Sequence, residues 1–307
     1  MSGFHSIPPD PAAIGRLLKA PFAILPDAPA LFRQRAERFA HLAEGHPAAA
    51  YLRFLAGLCG AQAALAEALP PAEPIPAEQV ERARAGAMPP LDRAALGASP
   101  ALREVIARFT EAVLPLAMPP QAASALDWLR HADTATLDGM IGNVMADSLP
   151  MEALPQHLFL AAAIQVEAAR RAATLDAARL VPVATGLCPV CGGPPAASLV
   201  TGRQGAEGAR YAACAFCGTQ WNEVRIKCLA CGSTKGVGYK EQAGLDEVAT
   251  VKAETCDECR SWVKILYQDK NPSLEPVADD VASLGLDLLM QGTDYRRAGF
   301  DPFLIGY

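Results

Sequence analysis

The sequence predicts an α+β multidomain protein: an N-terminal all-α helical domain, then two tandem metal modules, then a C-terminal helix. Three observations carry that prediction. Residues 1–180 are rich in Ala, Leu and Pro, with apolar residues at helical spacing. Eight of the nine cysteines fall between 188 and 259, all in Cys-x-x-Cys pairs. Helical periodicity returns only after Pro276. The expected divisions are 1–180 (helical domain), 181–226 and 227–272 (first and second metal modules), and 273–307 (C-terminal helix and tail). A chain of 307 residues exceeds the roughly 100–200 of a single domain.

Asp27 precedes a segment whose Leu31, Phe32, Phe39 and Leu42 share one helical face, and Gly45-His46-Pro47 ends it. The next helix carries Tyr51, Leu52, Leu55, Leu58, Gln62 and Leu65 and stops at Pro70-Pro71. The proline-rich stretch 71–98 predicts a loop with one short helix. Further helices fit 100–114, 121–131, 134–148 and 153–178, punctuated by Pro115, Pro119-Pro120 and Pro150. Antiparallel helices joined by such loops form a bundle. Cys59, between Leu58 and Gly60, belongs to its core.

At Val181-Pro182 glycine and cysteine rise and helical periodicity stops. Strand character appears at Arg210–Ala212 and Val248–Ala253, with hairpin loops at Gln204–Gly208 and Ala243–Asp246. A final helix spans about Val277 to Met290. Pro276 suits its first turn, Asp279 and Asp280 its positive end, and Gly292 its stop. Val277, Val281, Leu284 and Leu288 form its expected buried face.

The cysteines repeat. Cys188-Pro189-Val190-Cys191-Gly192 and Cys214-Ala215-Phe216-Cys217-Gly218 form one unit; Cys228-Leu229-Ala230-Cys231-Gly232 and Cys256-Asp257-Glu258-Cys259-Arg260 form another. A Cys-x-x-Cys turn aims two sulfurs at one point, and two facing turns complete a tetrahedron suited to zinc or iron. The repeat favours sequential pairing: Cys188, Cys191, Cys214 and Cys217 for one ion, Cys228, Cys231, Cys256 and Cys259 for the other. Joining the second and third knuckles instead is sterically open but breaks the repeat. Glycine after the second cysteine permits positive φ. Arg260 occupies that place in the fourth knuckle, which is therefore expected to be the least regular turn. Trp221 and Trp262 are expected to cover the knuckles. Modules of this size build little core, so metal supplies much of their folding energy. With four protein sulfurs per ion no position is open, which favours a structural metal and no enzyme activity.

Net charge is −6, and residues 188–270 hold ten Lys/Arg against nine Asp/Glu, so no basic stripe points to nucleic acid. A zinc-ribbon module binding nucleic acid or another protein is the rival class. The first residues lack a basic, apolar export signal. The Leu158–Ile164 run is far shorter than the about 20 residues of a membrane span. The expectation is a cytoplasmic protein without membrane insertion. The five histidines are scattered, with none near a cysteine pair.

Cys188–Gly192, Arg210-Tyr211, Trp221, Arg225-Ile226-Lys227-Cys228, Lys252-Ala253-Glu254-Thr255-Cys256, Lys264–Gln268, Asn271-Pro272 and Val277–Asp280 together resemble the formate dehydrogenase accessory proteins of the FdhE type. Arg35–Arg38, Leu42–Pro47 and Tyr51–Phe54 extend the resemblance through the helical half. The tail Gly299–Leu304 fits too, with Asp301 where the family pattern has Asn. The resemblance implies a non-catalytic cytoplasmic assembly factor for respiratory formate dehydrogenase. Such a factor binds the immature catalytic subunit before export. It also implies rubredoxin-like modules holding iron, two ions in four-cysteine sites with zinc as the alternative, on all eight knuckle cysteines. Lys227, Arg210 and Lys252 are the cations expected to balance the thiolate charge.

Overall fold

Asp27 starts the first helix, its carboxylate accepting from the Ala30 N–H at 3.0 Å. The computed structural model describes residues 20–242 and 249–304. The first residues of the chain and the Ala243–Asp246 loop lie outside them. Helices α1 (Ala28–Leu42) and α2 (Ala49–Ala68) form an antiparallel pair, followed by α3 (Ala77–Ala85), α4 (Arg93–Gly97), α5 (Pro100–Ala112), α6 (Pro120–Arg130), α7 (Thr134–Met145) and α8 (Leu154–Ala172). The 71–98 stretch thus holds two short helices rather than one. The second, α4, is capped by Asp92, whose carboxylate accepts from Ala94 and Ala95 N–H.

Helix α2 is long and apolar enough to cross a bilayer by composition, more so than the 158–164 run. Its Leu52, Leu55, Leu58 and Cys59 are instead fully buried in the bundle. Inside, Gln62 Nε2 donates to Ala162 O at 2.8 Å and Gln165 Oε1 at 3.0 Å. Burial pushes the Cys59 thiol far up, as befits a core residue.

Strands β1 (Ala23–Ile24), β2 (Ala197–Val200), β3 (Arg210–Ala213), β4 (Gln220–Glu223), β5 (Val237–Lys240), β6 (Val251–Cys256) and β7 (Ser261–Tyr267) form one sheet in the order β1-β4-β3-β2-β7-β6-β5. The cysteine repeat is also a topological repeat. Each unit runs knuckle, strand, hairpin, strand, knuckle, strand. The two antiparallel units join through parallel pairing of β2 with β7, Ser198 opposite Ile265. At one edge β1, preceding the helical bundle, pairs with β4. Beside β2, β8 (Arg296–Arg297) pairs with the start of β7.

The predicted C-terminal helix is two helices, α9 (Pro276–Ala282) and α10 (Leu284–Gln291). The break has a cause. Lys264 on β7 is fully buried, and its ammonium donates to Asp280 O at 2.6 Å and Ser283 O at 3.2 Å. The Ser283 hydroxyl donates to Asp279 O at 2.6 Å. The Asp280 carbonyl, which would accept from residue 284 in a continuous helix, is thereby taken by Lys264 and Ser283. The break rotates Leu288 outward to 53% exposure and buries Leu286, Asp287 and Met290 instead. Asp279 serves the helix start as expected, its carboxylate accepting from the Glu275 N–H at 2.7 Å, whereas Asp280 does not serve that start. Glu275 caps it through Val277 and Ala278 N–H. Asp279 pairs with Arg38 of α1, and Asp280 with Lys264 and Arg297. With Arg35–Glu275 at 3.1 Å, these pairs bind α9 between the bundle and the sheet. Removing one partner of such a buried pair costs about 3–5 kcal/mol.

Asp301, at the position where Asn is expected, is buried within the same charged region. Its Oδ1 accepts from Phe303 N–H at 2.9 Å, and its Oδ2 has no partner. Burial, reinforced by the Asp280 charge, pushes its carboxyl well above the usual range. A folded-state value above the unfolded one gives stability that is complete below about pH 4 and lost as pH climbs toward the raised value. Asp301→Asn should therefore be more stable than the native chain at neutral pH. Its advantage should widen by up to about 1.4 kcal/mol per pH unit above pH 4. Thermal melts from pH 5 to 8 check this; a difference constant with pH would count against it.

Candidate functional site

Each knuckle is a tight turn closed by the same backbone bond. Gly192, Gly218 and Gly232 N–H donate to Cys188, Cys214 and Cys228 O at 2.9, 3.0 and 2.9 Å, with φ of 73°, 74° and 78°. The fourth knuckle is no less regular. Arg260 adopts φ 55° and donates to Cys256 O at 2.9 Å. A non-glycine residue there costs about 1 kcal/mol, and the turn forms regardless.

These turns bring the eight sequence-predicted cysteines into two groups, Cys188/Cys191/Cys214/Cys217 and Cys228/Cys231/Cys256/Cys259, with all sulfurs of a group within 4.8 Å. That is the sequential pairing. Sulfur separations are 3.6 Å for Cys188–Cys217, 3.5 Å for Cys191–Cys214, 3.6 Å for Cys228–Cys259 and 3.8 Å for Cys231–Cys256. A disulfide needs about 2.05 Å. A tetrahedron with metal–sulfur bonds of about 2.3 Å has edges of about 3.8 Å. The donor set and spacing therefore fit a tetrahedral thiolate ion, zinc or iron alike.

The first cluster is fully buried and touches the helical domain through a residue that carries no motif. Arg93, at the start of α4, donates from Nη2 to Cys191 Sγ at 3.7 Å and from Nη1 to Asp147 at 2.7 Å. Its guanidinium lies 4.1 Å from the Phe216 ring centroid. Burial disfavours the Arg93 charge, but Cys191 and Asp147 more than offset that and raise its pKa. Within the cluster, burial is the largest influence and pushes Cys188 up. It opposes ionisation of Cys191 too, yet hydrogen bonds from the other three thiols, then Arg93, hold Cys191 well below the thiol range. Cys217 Sγ lies 3.2 Å from Thr219 Oγ1.

The cations expected to balance the thiolates do something else. Arg210 is buried between the modules, donating to Ser198 Oγ at 3.1 Å and pairing with Glu254 at 2.7 Å. Lys227 pairs with Glu223 and Lys252 with Glu241. Trp221 is buried in the core cluster that holds the first knuckles, whereas Trp262 packs with Leu286 and Met290 rather than over a knuckle. In the second cluster burial pushes Cys228 up to about 12, while Cys259, despite burial, is brought down to about 7 chiefly by Ser261.

Metal binding must expel the protons held by the raised thiols, Cys188 and Cys214 in the first cluster. Apparent affinity there should fall at least about a hundredfold per pH unit lost near neutrality, two protons being taken up. Competition titrations with zinc at pH 6.5 and 7.5 measure the slope; a pH-independent affinity would exclude thiolate ligation.

The chain matches three family profiles in succession: FdhE, N-terminal, over residues 20–185; FdhE, central domain, over 187–225; and FdhE, C-terminal domain, over 226–304. It is 62% identical to the FdhE homolog of Rhizobium meliloti (strain 1021), over 98% of both chains. It is 33% identical to protein FdhE of Escherichia coli O9:H4 (strain HS), over 89% of this chain and 88% of the relative. The crystal structure of the FdhE protein from Pseudomonas aeruginosa superposes with a TM-score of 0.82 at 32% identity, covering 94% of this chain and 99% of that one.

Proposed function

The chain belongs to the FdhE family of formate dehydrogenase accessory proteins, and from that premise we propose that it is a non-catalytic maturation factor binding the immature catalytic subunit in the cytoplasm before export. The observation that carries the reading is the pair of closed four-cysteine clusters within a chain matched end to end by FdhE profiles. All eight cysteines are assigned as metal ligands, one ion per cluster, with iron as the proposed ion and zinc the alternative. Four sulfurs close each tetrahedron, which supports a role in holding shape or passing an electron over one in binding substrate at the metal. Bound iron would supply a one-electron Fe²⁺/Fe³⁺ couple. The division into a helical domain (1–180), two metal modules (181–226 and 227–272) and a C-terminal segment (273–307) belongs to the same proposal.

The client surface is assigned to the junction of the helical domain and the sheet. A groove of about 770 Å³ opens there between α1 and residues 268–276, lined by Arg38, His41, Arg203, Gln268 and Pro276. Domain junctions of this kind are common partner sites.

Tagged protein, made anaerobically with iron supplied, should co-purify with immature formate dehydrogenase catalytic subunit and carry iron in both clusters. Failure to retain the subunit would overturn the assignment. A preparation holding only zinc would remove the iron couple from it.

A further inference from the structure

The two clusters are built alike and seated differently. All four cysteines of the first are buried, whereas in the second Cys231 is exposed and Cys259 half-buried. The helical domain clasps the first cluster on both knuckles. On one side Leu91 N–H donates to Val190 O at 2.9 Å, and a methyl at Gly193 would overlap the Arg93 guanidinium. On the other, a methyl at Gly218 would overlap Leu31 of α1, and Phe216 stacks on Arg93. The second cluster meets only short segments among the described residues. Gly186 lies against the Leu229 carbonyl, Thr185 against Gly232, and the Tyr295 hydroxyl donates to the Asp257 carboxylate.

Taking the clusters as metal centres, as proposed above, we propose that they differ in kind. The first is a sealed centre fastening the helical domain to the sheet, with Arg93 as its positioning residue. The second is an exchangeable centre that opens at Cys231 to a thiol-class ligand or a chelator.

The reasoning is steric and electrostatic. An incoming ligand must come within about 2.3 Å of the ion. At the first cluster every approach crosses packed side chains, so exchange requires the domains to separate. That separation would also strip Cys191 of its Arg93 partner. At the second, the Cys231 sulfur already faces water and its knuckle has no helical-domain cover among the described residues. In exchange with a thiol, the Cys231–metal bond breaks as the new sulfur–metal bond forms. The proton shed by the incoming thiol goes to the freed Cys231 sulfur, so charge at the centre is unchanged.

The test uses the full chain loaded anaerobically with zinc and challenged with excess EDTA, following zinc release over time. Cysteine alkylation by iodoacetamide is mapped in parallel by mass spectrometry. One ion should leave at least about tenfold faster than the other, equivalent to about 1.4 kcal/mol of barrier. Cys231 and Cys259 should be alkylated in that phase, and Cys188 and Cys217 last. Arg93→Gln should accelerate only the slow phase, and Cys231→Ser should abolish only the fast one. Release of both ions in a single phase, or alkylation beginning at Cys188 or Cys217, overturns the proposal while leaving two metal centres intact. Uptake of fewer than two zinc ions per chain overturns the metal reading and this proposal together. The alkylation order is read on the native chain, so it stands whether or not a variant folds.

Discussion

Four sulfurs gathered within 4.8 Å cannot all be ionised without a cation among them. Two thiolates about 3.6 Å apart repel by about 4–5 kcal/mol at an effective dielectric of about 20, and a cluster contains several such pairs. In the first cluster this repulsion sits at the junction of the bundle and the sheet. Leu91, Arg93, Leu31 and Phe216 all meet there. Arg93 offsets one thiolate, and a divalent ion would offset two more. The packing of two otherwise dissimilar halves at this point of the junction therefore depends on the electrostatic closure of one buried cluster.

An apolar core shared by both halves lies beside this cluster, and charged ties add to it. Arg35–Glu275 and Arg38–Asp279 fasten α1 to α9, and Lys264, Asp280, Asp287 and Arg297 form a buried network beneath α9 and α10. Buried ion pairs add little net stability compared with apolar packing, but they tolerate few alternative geometries. Asp301 shows how closely that region is balanced. Its carboxyl has one oxygen without a hydrogen-bond partner, and burial beside Asp280 disfavours its charge.

Much of the fold was legible in the sequence because apolar periodicity and proline punctuation are local signals. The α1 cap at Asp27, the stop at Pro70-Pro71 and the bundle helices needed no tertiary information. The sulfur pairing was legible for a similar reason: a repeated Cys-x-x-Cys spacing already limits the geometry. What escaped depends on distant partners. Parallel pairing of β2 with β7 joins strands about 65 residues apart in the chain, Ser198 opposite Ile265, which no local pattern marks. The break at Ser283 comes from Lys264 reaching across from the sheet. Arg93 lies 98 residues before Cys191 in a helix of five residues, and no spacing rule marks it. The regular fourth knuckle is a different lesson. Arg260 takes a left-handed φ because the two sulfurs and the Cys256 carbonyl demand it more strongly than the side chain resists.

The most direct measurement is hydrogen–deuterium exchange on the full chain, loaded with metal and then stripped of both ions and returned to neutral pH. If the first cluster closes the junction, stripping should raise exchange in residues 188–223 and, across the interface, in 89–97 and the first turns of α1. Helix α5, packed against α2 and α8, should keep its protection. Increased exchange confined to the knuckles, with 89–97 and α1 unchanged, would contradict the dependence of the junction on that cluster.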